Sequence, residues 1–497
     1  MFPIPRWLAV AVLVGGCLMP NAWLCHADDE ASDWRRWKKT SVTDEQVSVL
    51  TKQMFAAGLS PSRHDARTFV PAHNRTLHLN QIPDSGLPFG LILAAFNTTP
   101  DALAGLQQNG TLNSLSLLGV QDGAACLQAV ERQTNLRFLS LHECGVTDDH
   151  ISQLTNLKQL ETLDLRKTKI LGPGLAELKS LAALESLEVD MTEKQFSILV
   201  DSGLVHLLPI AHGIDRATAR TDADIVELEL NGFYGYEVTD EMMKSLDRLT
   251  SLRQLSLIET HVTNDAIPQT LCFPHLETLN LERTRIDDGA LRILETANSL
   301  KSLILDETRI TAEGLMNLSK CTSLTELHLN RCRLDDASLA SLGVMPNLEK
   351  LQVGETKICF ENDVLPATFL NLKYLNVNGS KVTDSGIPAI AQLPSLRSLD
   401  LTLCHVGDEG MRSLAECRNL EVLFLNRTAI TDDALRQLAS IGTLQTLSLH
   451  STNVSDVGLP YLAGMKNLRS LILFGTPTSE SGVQQLQELL PQCEISR

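Results

Sequence analysis

The chain has 497 residues, of which 43% are hydrophobic and 4% aromatic, and its formal net charge is -18 at pH 7. This acidity argues against a non-specific binder of nucleic acid or of anionic membranes, because such proteins normally present a basic face. The length suits several globular domains, but one domain is enough if the chain is built of repeats that pack only on their neighbours.

The start of the chain has the pattern of an export signal. Arg6 precedes the apolar run 7–14, and Ala27 stands just before an acidic stretch. This order is typical of a cleavable secretion signal. We therefore predict a signal peptide at residues 1–27 and an exported mature chain.

Two alternatives remain for this segment. Residues 14–17 are similar to a lipobox, which would make Cys17 a lipidated N-terminus, and an uncleaved signal could act as an anchor. The apolar run is short for a membrane span, and no later stretch is long enough to be one. A membrane contact is thus expected only through the N-terminus.

Residues 28–111 are predicted to form an N-terminal cap and irregular first repeats. Residues 43–50 suggest an amphipathic helix, 76–79 a first strand and 87–96 a helix packed behind it. The tryptophans and basic residues at 34–39 either belong to this cap, which a solenoid needs over its first repeat, or touch a membrane or partner.

From residue 112 to residue 478 one phrase recurs. Within 112–184, and again within 252–468, its first leucine returns every 24 residues. A fixed period of this length indicates a solenoid. The first leucines of the regular copies are Leu112, Leu136, Leu160, Leu184, Leu252, Leu276, Leu300, Leu324, Leu348, Leu372, Leu396, Leu420, Leu444 and Leu468.

The copy that begins at Leu420 shows how the phrase makes a shape. Leu423 and Leu425 alternate with Phe424, so the leucines point inward and the phenylalanine outward. The following Thr431-Asp432 is suited to capping a short helix. Stacked copies predict an α/β solenoid: a right-handed horseshoe with one parallel sheet on its concave face and short helices on its convex face.

Two parts of the chain depart from the regular phrase. Residues 190–251 keep it loosely, with candidate strands at 204–208 and 225–230 and extra residues at 231–236. This region is either a functional loop or a degenerate repeat held by its neighbours. Residues 479–497 are predicted to be a C-terminal cap, a helix and a short strand that cover the open edge of the sheet.

The cysteines do not predict a disulfide framework. Removal of Cys17 and Cys25 from the total of 11 leaves nine, an odd number. Cys144, Cys332 and Cys404 occupy an inward corner that threonine fills in other copies. Cys332 and Cys404 lie three repeats apart, about 14 Å at sheet spacing, which is beyond disulfide reach. We expect small buried side chains.

The phrase LxxLxLxx(T/C)x(I/V)(T/D)D followed by GLxxLxxL resembles the cysteine-containing, T-x-I-T-D-x-G-L class of leucine-rich repeats. This class occurs in many exported bacterial proteins and in the substrate-reading part of F-box proteins. The resemblance implies a non-enzymatic interaction scaffold. An F-box-like ubiquitin-ligase adaptor is a distant alternative, because an export signal contradicts a cytosolic role.

Exposed positions form rows across the repeats. One row alternates in sign: Glu259, Arg283, Glu307, Arg331 and Glu355. The next row, here called the basic strip, consists of His261, Arg285, Arg309, Arg333, Lys357, Lys381 and His405. Both rows together could form a ladder of ion pairs, or the strip could face an acidic protein or an anionic glycan.

A third row is polar and includes Glu282, Asp306 and Asn330. The first two could mark a ligand or cation site unless Arg283 and Arg309 neutralise them. Toward the C-terminus Tyr374, Phe424 and Phe474 stand at outward positions and are candidate anchors for a partner, although single apolar residues are common on surfaces.

Motifs for chemistry are missing from the sequence. It contains no GxSxG, CxxC or phosphate-loop motif, and the histidine spacing of zinc proteases is not met. No cofactor or metal is therefore expected. The leading hypothesis is an exported scaffold that binds a protein, or a glycan, on its concave face. The alternative is a structural or lipid-anchored component of the cell envelope.

Overall fold

The structure, a computed structural model, describes residues 43–497 except 63–65, 73–76, 83, 85, 96–98, 236 and 362–368. The predicted signal peptide at 1–27, the lipidation candidate Cys17 and the basic cluster at 34–39 lie outside the described residues. No helix in the described part is long and apolar enough to span a membrane.

The chain divides into two compact units, which are described separately. The first comprises the described residues up to Ile170 together with 180–187, and the second comprises 171–179 and 188–497. The predicted repeating parallel strands joined by short helices are confirmed, but the described strands form two sheets, of seven and thirteen strands, and not one.

The seven-stranded sheet follows chain order. Its first two strands are antiparallel, and parallel pairing begins between the second and third. The strands are β1 (Leu59–Pro61), β2 (Thr68–Pro71), β3 (Phe89–Ala94), β4 (Leu112–Leu118), β5 (Phe138–Ser140), β6 (Thr162–Asp164) and β7 (Ser186–Glu188). The α-helices up to residue 170 are α1 (Asp44–Ala56), α2 (Pro100–Ala104), α3 (Gly123–Val130) and α4 (Asp148–Leu154).

The sequence predicted the N-terminal helix correctly and the elements after it wrongly. α1 begins with a capping box in which Thr43 and Gln46 exchange hydrogen bonds. The predicted strand at 76–79 is wrong in its described part, because Leu79 begins a 3-10 helix. The predicted helix at 87–96 is instead strand β3, whose first five residues are all buried. A strand covered on both faces is a continuous apolar run, so its periodicity does not separate it from a helix.

The thirteen-stranded sheet of the second unit is parallel except at its start, where β8 and β9 are antiparallel. Its strands are β8 (Ala211–His212), β9 (Glu227–Glu229), β10 (Gln254–Ser256), β11 (Thr278–Asn280), β12 (Ser302–Ile304), β13 (Glu326–His328), β14 (Lys350–Gln352), β15 (Tyr374–Asn376), β16 (Ser398–Asp400), β17 (Val422–Phe424), β18 (Thr446–Ser448), β19 (Ser470–Ile472) and β20 (Glu494–Ser496).

Short helices connect these strands. The α-helices are α5 (Glu193–Ser202), α6 (Asp240–Lys244), α7 (Ile267–Thr270), α8 (Asp288–Leu294), α9 (Ala312–Leu318), α10 (Asp336–Ser341), α11 (Ile387–Ala391), α12 (Asp408–Leu414), α13 (Asp432–Leu438) and α14 (Glu480–Leu489). The 3-10 helices of both units are Leu79–Gln81, Pro173–Ser180, Val205–Leu207, Ile214–Arg216, Asp222–Asp224, Gly232–Tyr234, Ser245–Arg248, Asn264–Ala266, Asp384–Gly386 and Leu459–Gly464.

The predicted aliphatic spine is confirmed. Leu327 pairs in register with Leu351, which pairs with Leu375, and all three are fully buried. Each such leucine contributes about 2 kcal/mol through burial. Because each copy from residue 252 onward adds the same layer to the stack, the regular copies of the second unit form one continuous core.

The irregular and terminal regions were predicted in part. The candidate strand at 225–230 is confirmed as β9, but the one at 204–208 is wrong, since a 3-10 helix occupies Val205–Leu207. The closing helix and final strand are confirmed as α14 and β20.

Cysteines in the described part are all free. As predicted, Cys144, Cys332 and Cys404 are buried at the inward corner. Cys321 and Cys417, which share another slot of the repeat, are buried as well, whereas Cys272 is exposed and Cys359 is half-buried.

Candidate binding surface of the second unit

Backbone hydrogen bonds between successive copies position the basic strip. The amide of Arg285 donates to the carbonyl of Val262 at 3.0 Å, and the amide of Lys381 donates to the carbonyl of Ile358 at 3.0 Å. Each copy therefore contributes one strip residue, about 4.8 Å from the next at sheet spacing.

The row beside the strip, called here the charge ladder, is a chain of ion pairs from Glu259 to Glu355. Arg283 bridges Glu259 at 2.6 Å and Glu307 at 2.9 Å. Arg331 bridges Glu307 at 2.5 Å and Glu355 at 2.8 Å. The hydrogen bonds from Arg283 and then Arg331 lower the pKa of Glu307 to about 2. All five charged side chains of this row therefore form ion pairs within the row.

Ladder residues have a left-handed backbone that the sequence analysis did not predict. The φ angles of Glu259, Arg283, Glu307, Arg331 and Glu355 lie between 54° and 58°. Positive φ is uncommon for residues other than glycine. The signal was present in later copies, where Gly379 and Gly475 fill the same position with φ of 65° and 68°.

The basic strip differs from the ladder in its pairing. Arg285, Arg309, Arg333, Lys357 and Lys381 are all exposed. Among the described residues, no carboxylate lies within salt-bridge distance of these five side chains, whereas the neighbouring row is paired throughout. The ion-pair interpretation thus fits the ladder and not the strip.

The structure brings Glu282, Asp306 and Asn330 together in a shallow depression of about 220 Å³ on the strand side of the sheet. Asp306 accepts hydrogen bonds from the amide of Asn330 at 2.7 Å and from its side chain at 3.0 Å. Asn330 in turn accepts from the amide of Gly354 at 2.7 Å. These polar side chains satisfy amides at the ends of the strands.

Burial raises the pKa of Glu282, with a further contribution from Asp306, and burial also raises the pKa of Asp306. Arg283 lies 3.8 Å from Glu282, as expected, but among described contacts Arg309 forms no ion pair with Asp306. In the described part of the chain, no group of three or more His, Cys, Asp or Glu side chains could hold a metal ion.

The three aromatic candidates lie outside this depression. Tyr374 is half-buried, and the Lys350 ammonium lies 5.4 Å from the centre of its ring. Phe424 is half-buried on β17, whereas Phe474 is 49% exposed. Leu403, which sequence analysis missed, is 47% exposed. Its signal was a leucine at the ladder position, where earlier copies carry charge.

A second unpredicted feature is a charged cluster on β13 and β14. Glu326 accepts from His328 at 2.7 Å and from Lys350 at 2.5 Å. These hydrogen bonds, the one from His328 first, lower the pKa of Glu326 to about 2. Glu326, His328 and Lys350 therefore form a polar network in which each side chain has a hydrogen-bond partner.

Comparisons with known proteins identify the repeat. The profile of the leucine-rich repeats of FBD-associated F-box protein At5g56370 matches residues 216–316. A general leucine-rich-repeat profile matches residues 320–343, 370–391 and 392–415. No curated protein is a match.

Three solved structures are similar to the chain at low sequence identity. The TLR13–ssRNA13 complex is 18% identical, with a TM-score of 0.52 over 88% of this chain and 67% of that one. An internalin from Listeria monocytogenes is 19% identical over 80% of this chain and 88% of that one, with a TM-score of 0.41. A leucine-rich-repeat protein from Leptospira interrogans is 20% identical over 84% and 91%, with a TM-score of 0.40.

Repeat profiles, parallel strands at a fixed step and short connecting helices together define a leucine-rich-repeat solenoid. Such solenoids are, as a class, binding scaffolds whose repeat carries no chemistry of its own.

Proposed function

We propose that the chain is a non-enzymatic scaffold that binds an acidic protein partner through the basic strip. The supporting observation is the contrast between two adjacent rows. The arginines of the charge ladder form ion pairs with the glutamates of the same row. By contrast, Arg285, Arg309 and Arg333 are exposed and form no ion pair within the described structure. Evenly spaced cations on one sheet attract an acidic surface and speed its association.

The same cations would also attract an anionic glycan. We favour a protein because Phe474 and Leu403 expose apolar surface on the strand side of later copies. Aromatic side chains such as that of Phe474 are enriched in the buried centres of protein interfaces. Tyr374 and Phe424 are secondary anchors in this proposal, since each is already half-buried.

The binding proposal is tested by charge reversal. The partner is first captured from the native envelope fraction with the wild-type chain and identified. Arg285→Glu, Arg309→Glu and Arg333→Glu are then combined. We expect at least a tenfold loss of affinity for that purified partner and an unchanged circular dichroism spectrum.

A matched control reverses three exposed arginines on the connecting helices, Arg292, Arg412 and Arg436, and so changes the net charge equally. It should bind like wild type. Equal binding by the strip variant and wild type would refute the proposal, and retention of heparin instead of a protein would favour the glycan.

The proposed location is outside the cytoplasm, on the basis of the sequence of residues 1–27. Mass spectrometry of the mature N-terminus discriminates the options. A free Asp28 indicates a soluble exported scaffold, and diacylglycerol on Cys17 indicates the envelope-anchored alternative. An intact N-terminus with co-purified ligase components would instead favour the adaptor role that F-box proteins suggest.

A further inference from the structure

One end of the depression on the strand side of the second unit holds two carboxylates without a close cation. The carboxylate of Glu282 receives no hydrogen bond from the described residues, and its one ion-pair contact among them is the Nε of Arg283 at 3.8 Å. Asp306 accepts its two hydrogen bonds from the uncharged Asn330. Glu282 and Asp306 occupy the same position of neighbouring copies, about 4.8 Å apart at sheet spacing. Neither charge is balanced by a direct partner.

The arginines of the depression cannot supply that balance. Arg283 and Arg331 each bridge two glutamates of the charge ladder. Four carboxylates and two guanidiniums line the depression, so negative charge is in excess. Burial raises the pKa of Glu282 and of Asp306, because both carboxylates lose water and no cation replaces it. A bound cation would offset this cost.

The opposite end of the depression has another unused acceptor. Asn378 lines it, and the side-chain oxygen of Asn378 is buried without a hydrogen-bond partner in the described part of the chain. Gly354 lies between the two ends. A Cβ atom added there would stand 2.9 Å from the carbonyl oxygen of Asn378 and 3.0 Å from the side-chain oxygen of Asn330. Because residue 354 has no side chain, the floor between the two ends is open.

This lining selects a ligand that is positively charged and donates hydrogen bonds. An anion would meet arginines that are already paired. A metal ion is disfavoured, because no three His, Cys, Asp or Glu side chains come together among the described residues. The described lining contains no aromatic side chain, so a guanidinium would find no ring on which to stack. A compact ammonium with three N–H donors fits two carboxylates that are one sheet spacing apart.

We propose that the depression binds an extended, lysine-containing segment of the protein partner, with the lysine ammonium between Glu282 and Asp306 and a backbone N–H directed to Asn378. This rests on the proposed function, since it assigns the lysine to the partner that the basic strip attracts. Asp306 and Asn378 are three copies apart, about 14 Å at sheet spacing. One side chain cannot reach both, so a peptide segment is required. The strip and the depression then recognise opposite charges on one partner.

Saturation-transfer NMR with the full chain at low ionic strength tests the site without the partner. The probe is acetyl-Gly-Gly-Lys-Gly-Gly-amide. A matched peptide carries norleucine, which has the same four side-chain carbons without the ammonium. We expect saturation of the lysine side-chain protons and little transfer to the norleucine peptide. Equal transfer to both peptides would overturn the proposal, and so would equally tight binding of n-butylammonium, which has no backbone.

Two site variants and one control complete the test. Glu282→Gln removes one carboxylate and keeps its shape, so the lysine peptide should bind about tenfold more weakly. Asn378→Ala removes no side-chain hydrogen bond of the described structure and should weaken binding about threefold. Glu313→Gln, on α9, is the control and should bind like wild type. Unchanged binding by either site variant would overturn the proposal, and displacement of the peptide by micromolar calcium would assign the depression to a metal ion instead.

The strip variant separates this proposal from the proposed function. Combined charge reversal at Arg285, Arg309 and Arg333 should leave binding of the lysine peptide at least as strong as in wild type, although it weakens binding of the partner. With the purified partner, Glu282→Gln should lower the affinity about tenfold, and Glu313→Gln should not. A strip variant that still binds the partner refutes the role of the strip, whereas peptide binding that is insensitive to Glu282 refutes the ammonium site.

Discussion

Asp408 of one repeat accepts two hydrogen bonds from Thr431 of the next, from its amide at 2.8 Å and from its hydroxyl at 2.5 Å. Thr431 is also the N-cap of α13, and its side chain accepts from the amide of Asp433 at 3.4 Å, which confirms the predicted cap. The Thr-Asp pair of the repeat phrase therefore links neighbouring copies as well as starting each helix.

The link recurs in other copies. It joins Asp288 to Thr311, Asp432 to Ser455 and Asp456 to Ser479, with hydroxyl–carboxylate distances of 2.6 Å in each case.

Removal of this link should weaken the stack. Asp408→Ala leaves the Thr431 amide and hydroxyl without their acceptor, so we expect a loss of about 1 to 3 kcal/mol in the free energy of unfolding. Asp408→Asn should lose less, because its amide oxygen still accepts one bond. Urea denaturation followed by circular dichroism measures both variants.

Asp433→Ala is the control, since its side chain is 77% exposed and pairs only loosely with Arg436 at 3.9 Å. It should lie within about 0.5 kcal/mol of wild type. If Asp408→Ala and Asp433→Ala are equally mild, the inter-repeat link does not support the array.

The Asp408–Thr431 link also marks what the sequence could and could not predict. Burial of Leu423 and Leu425, and exposure of one side of Phe424, follow from strand alternation and were predicted. The partner of Asp408 lies 23 residues further on, and a pattern within one copy says nothing about contacts between copies.

Predictions failed where local pattern and tertiary context disagree. Strand β3 was read as a helix because both its faces are covered. The closeness of Glu282 and Asp306 was predicted from the row that they share. The raised pKa values of these two carboxyl groups could not be predicted, because they depend on burial, which the row alone does not give.

Glu307 should stabilise the fold above its unfolded pKa. Its folded pKa is about 2, held down by Arg283 and then Arg331, against roughly 4.3 for an unfolded glutamate. Stability from this group is therefore present at neutral pH and lost as pH falls toward 2. Glu307→Gln should cost about 1 kcal/mol at neutral pH, since partly exposed pairs are screened by solvent.

The difference between Glu307→Gln and wild type should shrink when urea denaturation is repeated at successively lower pH from about 5. It should also shrink at high salt, which screens the ladder. A constant difference across pH would mean that packing, and not charge, explains the loss.

Glu282→Gln, in the same depression, should raise the free energy of unfolding at neutral pH, whereas Glu307→Gln should lower it. Burial, and then Asp306, raises the pKa of Glu282, so its ionised form is disfavoured in the folded chain. The fold gains stability as this group becomes protonated, and loses it as pH rises through the folded pKa. The neutral glutamine should stabilise the protein at neutral pH by on the order of 0.5 kcal/mol.

That gain should disappear in acid, where wild-type Glu282 is itself protonated. Thermal denaturation of both variants over the same pH series compares them directly. A loss of stability at neutral pH in Glu282→Gln would show that the 3.8 Å approach of Arg283 outweighs desolvation.

Phe474→Ala should weaken the proposed partner complex more than it weakens the fold. Its side chain is 49% exposed, so truncation should cost only about 1 kcal/mol of stability. A buried aromatic anchor in an interface contributes about 2 kcal/mol or more, so we expect at least a tenfold loss of affinity.

Leu489→Ala on α14 is the control, because the Leu489 side chain is 50% exposed. Equal affinity for the two variants would remove Phe474 from the binding surface.

Threonine and cysteine both occur at the inward corner, and either side chain can donate a hydrogen bond to a buried carbonyl. The Thr428 hydroxyl donates to the carbonyl of Leu425 in its own copy at 2.6 Å, whereas the Cys332 thiol donates to the carbonyl of Leu305 in the previous copy at 3.2 Å. Thr428→Val keeps the shape of the side chain and removes the donor, so we expect a loss of about 1 to 2 kcal/mol in the free energy of unfolding.

Cys332→Thr supplies a hydroxyl that can reach its own copy's carbonyl, as Thr284 does at 2.7 Å. Its free energy of unfolding should stay within about 0.5 kcal/mol of wild type. Urea denaturation ranks the two variants; if Cys332→Thr loses as much as Thr428→Val, the corner at residue 332 requires sulfur for its packing and not for its hydrogen bond.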